Sequence, residues 1–197
     1  MTTAPTSLWR MALALLCTLL LGTAFTAWAI FRADQQKREA LLQQTYLVAQ
    51  SIPPETVRTL AGDLSDNDKP IYHRLKTQLM AAVQIDPDWE WIYLMDKNPE
   101  GQILFQVDSE AYDTPDPSPP GQIYGEASDI LHSVFVRRLA ATEGPVPDRW
   151  GTWVSAFVPL EDPRSGELIT VLGIDIDAGR WRSSILRAGL WPAVFTL

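Results

Sequence analysis

Residues 148–181, DRWGTWVSAFVPLEDPRSGELITVLGIDIDAGRW, carry the reading on which the fold turns. They read as two antiparallel strands joined by a tight turn. The first, residues 149–160, is rich in tryptophan, valine and phenylalanine, which suit a pleated, half-buried surface. Asp162-Pro163-Arg164-Ser165-Gly166 supplies the turn, with a proline to fix φ and a glycine free to take φ > 0. The second strand, residues 168–177, alternates, so Ile174 and Ile176 face one way and Asp175 and Asp177 the other. Carboxylates are rarely buried without a partner. The acidic face therefore points either to solvent or to a ligand cavity.

Upstream, residues 127–142 have helical periodicity. Ile130, Leu131, Val134, Phe135 and Leu139 form the stripe, Ser128 is the expected N-cap beside Glu126 and Asp129, and Gly144-Pro145 ends the element. Residues 109–126 hold too much proline to continue a ladder. An irregular segment of that length inside a compact domain is often functional, for instance as a lid over a site. Tyr112, Ile123 and Tyr124 predict a loop packed down on the domain. Before it, residues 89–96 (WEWIYLMD) and 102–108 (QILFQVD) read as a β-hairpin turned by Asn98-Pro99-Glu100-Gly101.

Residues 71–85 predict a helix with Tyr72, Leu75, Leu79 and Val83 inward and Arg74, Lys76 and Gln78 outward. Asp63, Asp66 and Asp68 lack the loop glycine and terminal glutamate of a calcium loop and read as a solvated turn. His73 has no second ligand at metal spacing, and His132 is remote in sequence. A short helix is expected over 54–61. A longer one over 33–52, with Leu41, Leu42, Tyr46, Val48 and Ala49 as its apolar stripe, ends at Pro53-Pro54. No crossover helix separates strands of a parallel sheet. The class is α+β with an antiparallel sheet flanked by helices.

Residues 11–31 carry no charge. At 1.5 Å rise per residue they reach across a hydrocarbon core of roughly 30 Å. They read as a transmembrane helix, with residues 1–10 as its cytoplasmic N-terminus. A cleaved signal peptide competes, because Ala27-Trp28-Ala29 fits a small-x-small cleavage pattern, but the run exceeds a usual h-region of about 7–15 residues. Residues 185–197 are apolar apart from Arg187. They read as the start of a second transmembrane helix cut short, or as an amphipathic helix on the domain or at the membrane surface.

The net charge of −8 argues against a nucleic-acid partner. One cysteine, Cys17, excludes an internal disulfide and a cysteine metal cage. There is no glycine-rich phosphate loop, HExxH or GxSxG, and no cofactor is expected. Asp175 and Asp177 lack the second acidic cluster a glycosidase would need. A small-molecule cavity has better support, from aromatic side chains with a few charged groups to orient a ligand. Candidates are Tyr93, Asp108, Tyr124, Arg149, Trp150, Trp153 and Asp175. Each tryptophan equally suits a core, Asp108 a strand end, and Arg149 a surface pair with Asp148 or Asp162.

With WIYLMD, FQVDSE, PPGQIYGEASDIL and the strand pair 148–181, the layout resembles the extracytoplasmic Cache (PDC, PAS-like) sensor domains of bacterial signal-transduction proteins, over about residues 33–181. The resemblance implies a ligand between the central sheet and the overlying loop and helix, lined by Tyr93, Asp108, Tyr124, Trp153 and Asp175. An aspartate late in the sheet often contacts an amine in amino-acid-binding relatives, and Asp175 or Asp177 is the nearest counterpart. It further implies a sensor domain over 33–184, periplasmic and held in the inner membrane. It would dimerise through the first long helix and feed a kinase or cyclase that this chain does not contain. Rival readings are a secreted or tethered binding protein, a small periplasmic enzyme using Asp175, Asp177 and Arg149, and a ligand-free dimerisation module.

Overall fold

The computed structural model describes residues 6–114 and 117–194, with side chains described over 9–114 and 117–188. Chain contacts divide it into two units. One takes the described residues up to Lys37 and those from Arg182 onward; the other is the compact unit Arg38–Trp181.

Helix α1 (Thr6–Gln50) runs without a break through the apolar segment and the expected helix over 33–52. One helix among the described residues, this one, is long and apolar enough to cross a membrane. Leu15, Leu19 and Leu21 are more than 60% exposed, so no other described part of the chain covers that apolar surface. Further along, Leu41, Thr45 and Ala49 are buried at a spacing of four, while Tyr46 and Leu47 are exposed. The last helix, α5 (Ala178–Val194), includes most of the apolar run expected over 185–197; residues 195–197 lie outside the described residues, as do residues 1–5 of the N-terminal segment.

Within Arg38–Trp181 the elements are α2 (Pro54–Val57), a 3-10 turn (Leu64–Asp68), α3 (Pro70–Val83), β1 (Trp89–Lys97), β2 (Ile103–Asp108), α4 (Asp129–Arg137), β3 (Ala141–Pro147), β4 (Thr152–Glu161) and β5 (Leu168–Asp177). The strands form one sheet in the order β2-β1-β5-β4-β3, and each pairing is antiparallel. The α+β class and both hairpins stand as expected. Strand β5, the partner of both β1 and β4, is the centre.

Several local expectations are corrected. The helix expected over 127–142 stops at Arg137 because Arg138 takes a left-handed conformation (φ 57°), and Leu139 is exposed. Ser128 is its N-cap, as expected, accepting from Leu131 N–H at 3.0 Å. Residues 141–147 instead form β3, and Gly144-Pro145 lies within it, where the register against β4 shifts. Lys76, expected outside, is buried. Asp66 is not solvated: it accepts from the backbone N–H of Ala61 and Gly62 and pairs with Lys69. Of the proline-rich loop, Tyr112 and Ile123 are exposed. The loop's end is nonetheless pinned to the free edge of β2, where Phe105 N–H donates to Gln122 and Tyr124 N–H to Ile103.

On one face of the sheet Tyr93, Met95, Ile103, Phe105, Phe157 and Val171 pack with Leu131, Val134 and Phe135 of α4. Gly173, opposite Tyr93 in the ladder, has no room for a side chain, since a Cβ there would run into the Tyr93 ring. Gly173→Ala is expected to cost about 1–3 kcal/mol through overpacking. Gly125→Ala, with open space around it, should stay within about 0.5 kcal/mol. Urea unfolding followed by tryptophan fluorescence distinguishes the two.

Candidate functional site

A cavity of about 470 Å³, counted to its open mouth, lies on this face of the sheet. Its floor follows from the ladder. Trp91, Tyr93 and Met95 alternate along β1, and Asp175 of β5 stands opposite Trp91 and Ser155. Strand β2 reaches the same face through an irregularity. Leu94 pairs with Val107 and Met95 with Phe105, so Gln106 is an extra residue in the strand. Strict alternation would put Phe105 and Asp108 on opposite faces; the bulge brings both to the cavity.

The walls come from the loops. Residues 149–151, expected to begin a strand, form a turn held by Asp148 instead. Its Oδ1 accepts from the backbone N–H of Trp150 (2.9 Å) and Gly151 (3.0 Å) and from Trp153 Nε1 (2.9 Å), and its Oδ2 from Tyr124 OH (3.1 Å). Tyr124 and Trp150 stack with ring centroids 6.2 Å apart, and Phe105 meets both. Glu110 accepts from Ser118 N–H at 2.8 Å, which ties the two arms of the proline-rich loop together beside the cavity.

Two carboxylates dominate the electrostatics. Tyr93 OH donates to Asp175 Oδ1 at 2.9 Å. Burial pushes Asp175 up to about 7; bonds from Ser155 and Tyr93 oppose that rise, and the charges of Asp148 and Glu143 add to it. Burial, reinforced by Asp175, drives the Tyr93 hydroxyl well above its ordinary value. Asp108 Oδ1 is held by the buried Lys76 ammonium and by Glu110 N–H. Burial still raises Asp108, outweighing the ammonium. Asp108 Oδ2 and Trp150 Nε1 are buried without a hydrogen-bond partner.

Six residues expected from sequence thus line one cavity: Tyr93, Asp108, Tyr124, Trp150, Trp153 and Asp175. Arg149 does not line it. Its guanidinium pairs with Glu126 and lies 4.6 Å from the centroid of the Trp150 ring, and the surface partners expected for it, Asp148 and Asp162, bond elsewhere. Asp177 also stands apart, accepting from Arg180 N–H in the first turn of α5. Met95, Phe105, Glu110, Ser118 and Asp148 line the cavity without having been singled out. Asp148 was findable, because an aspartate three residues before a glycine at a strand entrance is turn chemistry. No group of acidic, histidine or cysteine residues suited to a metal occurs among the described residues.

The Asp175 proton has a consequence for stability. Between about pH 4 and 7 the folded chain keeps a proton that the unfolded chain has lost. Stability therefore falls as pH rises through that window, by up to about 1.4 kcal/mol per unit, and levels off above it. Asp175→Asn is expected to remove this component, gaining on the parent as pH rises from 4 to 7. Urea midpoints of the two proteins across that range measure it.

No family model matches the chain, and a search of curated proteins likewise finds no match. Solved structures do match. The ligand-binding domain of the Campylobacter jejuni chemoreceptor Tlp3 in complex with 4-methylisoleucine superposes with a TM-score of 0.58 at 13% identity, over 84% of this chain and 60% of that one. The Tlp3 sensory domain with isoleucine bound gives 0.55 at 14% identity, over 93% and 68%. An extracellular ligand binding receptor from Desulfohalobium retbaense gives 0.55 at 10% identity, over 83% and 27%. This chain thus spans about three fifths of the first of these domains. What this chain shares with them is the fold, the one that the resemblance to Cache (PDC, PAS-like) sensor domains implied.

Proposed function

We propose that the chain is the extracytoplasmic input module of a bacterial membrane signal receptor, and that its cavity binds a small molecule. The observation that carries this reading is the cavity itself. It is lined by aromatic and acidic side chains, and two of the lining residues, Asp108 and Trp150, each carry a buried polar atom, Oδ2 and Nε1, without a hydrogen-bond partner. Such groups are costly unless something pairs with them. Structural neighbours that are ligand-binding sensory domains, not enzymes, support the same assignment.

The apolar part of α1 is consistent with an anchor, with residues 11–31 in the membrane and a sensor domain over 33–184 in the periplasm. The inner membrane is the proposed location, and a histidine kinase or diguanylate cyclase the proposed output. Two contacts at the ends of the domain suit transmission. Arg38 of α1 lies over the Trp181 ring of α5, and Lys37 Nζ donates to Ser184 Oγ at 2.6 Å. A ligand that favours one arrangement of β5 and α5 over another would shift that equilibrium by its difference in affinity. The exposed Tyr46 and Leu47 face of α1 is the proposed seat of a second copy.

Thermal unfolding of the full chain in detergent micelles, screened against amino acids, organic acids, amines and nucleobases, tests the assignment. A ligand at a hundredfold excess over its dissociation constant adds about 2.7 kcal/mol of stability. The gain is expected to vanish in Asp175→Ala and to persist in Asp63→Ala, a turn residue outside the cavity. Silence from every class with a folded chain would sink the sensor reading in favour of a ligand-free module.

A further inference from the structure

We propose that the cavity selects a compact organic cation without a carboxylate, an alkylamine or arylalkylamine, over the zwitterion of an α-amino acid. This rests on the reading of the cavity as a small-molecule site and adds the charge pattern of its ligand.

The lining carries four carboxylates, Asp108, Glu110, Asp148 and Asp175, and no lysine, arginine or histidine among its described residues. Most of the carboxylate oxygens are engaged. Asp148 is bonded through both, Asp175 accepts from Tyr93, and Glu110 accepts from Ser118. Asp108 differs. Its Oδ1 is taken by Lys76 and Glu110 N–H, while Oδ2 is buried with no partner in a residue only 5% exposed. That oxygen accepts and does not donate when ionised, so it calls for an N–H or O–H from a ligand. A charged donor makes the stronger bond.

The rest of the lining favours the same chemistry. Six aromatic side chains, Trp91, Tyr93, Phe105, Tyr124, Trp150 and Trp153, line the cavity, and an ammonium is attracted to aromatic rings through their quadrupole. A ligand carboxylate fares differently. The unpartnered buried donor it would find here is the neutral Trp150 Nε1, among four acidic side chains. Burying an anion without a cation is expensive, and like charges add to the cost. Two cations that touch lining residues are paired with carboxylates: Lys76 with Asp108, and Arg149, which lies over the Trp150 ring, with Glu126. Neither lines the cavity. The single indole N–H suits an uncharged oxygen on the ligand.

Matched ligand triads separate the possibilities. Titration calorimetry on the full chain in micelles would compare 2-methylbutylamine, isoleucine and 3-methylpentanoate; phenethylamine, phenylalanine and 3-phenylpropionate; and tryptamine, tryptophan and indole-3-propionate. In at least one triad the amine is expected to bind ten times more tightly than the amino acid, with the acid showing no binding. Asp108→Asn should weaken that amine at least tenfold; if the variant fails to fold, the triads on the unaltered chain decide alone. An amino acid that matches or beats its amine, or an acid that binds, overturns the proposal and leaves the sensor reading standing. Silence from all nine compounds also overturns it, whereas the sensor reading falls only if the broader screen is silent too.

Discussion

The ring of Tyr93 lying across Gly173 is the contact on which the site depends. The two residues face each other in the ladder between β1 and β5. Because Gly173 has no side chain, the ring can cross the central strand and bring its hydroxyl to Asp175, two residues further along. The carboxylate then has a neutral hydrogen-bond donor in place of a cation. Burial can hold its proton to near neutral pH without leaving it unbonded. With any side chain at position 173, the floor of the cavity would be rebuilt.

A second buried carboxylate is handled in the opposite way. Asp108 is given a full charge partner, Lys76, on a different element, so the pair ties α3 to β2 through the interior. Removing one member of such a pair leaves a charge stranded in a poor solvent. The pair therefore fixes the position of α3 against the sheet edge that borders the cavity. Only one of the two Asp108 oxygens is used in this. The same residue thus ties the fold together while its second oxygen stays buried without a hydrogen-bond partner.

Much of this was legible in the chain. Period-two and period-3.6 patterns with strong turn signals reveal the two hairpins, the α+β class and the apolar helix, because local backbone preference and burial agree there. Six of the seven site candidates share the cavity, five of them as the resemblance to Cache domains implied, and alternation accounts for the faces taken by Tyr93 and Asp175. Where local and tertiary preferences diverge, the pattern misleads. Leu139 continued a helical stripe, yet Arg138 turns left-handed and the next residues take the open edge of β4 as β3. Lys76 sat among polar residues on a helix surface, and a carboxylate 32 positions away draws it inward.

The sequence by itself determined the elements and the alternation that sends Asp175 to a different face from Ile174 and Ile176. Those depend on side-chain spacing and on the φ/ψ limits of proline and glycine, which are local. Only the tertiary structure decided what that face meets. The bulge at Gln106 that turns Asp108 toward the cavity, the Asp148 turn that walls it, and the departure of Arg149 to Glu126 all arise from strand pairing and burial between distant residues. Charge and hydrogen-bonding partners are chosen by proximity in space, and no spacing along the chain encodes that proximity.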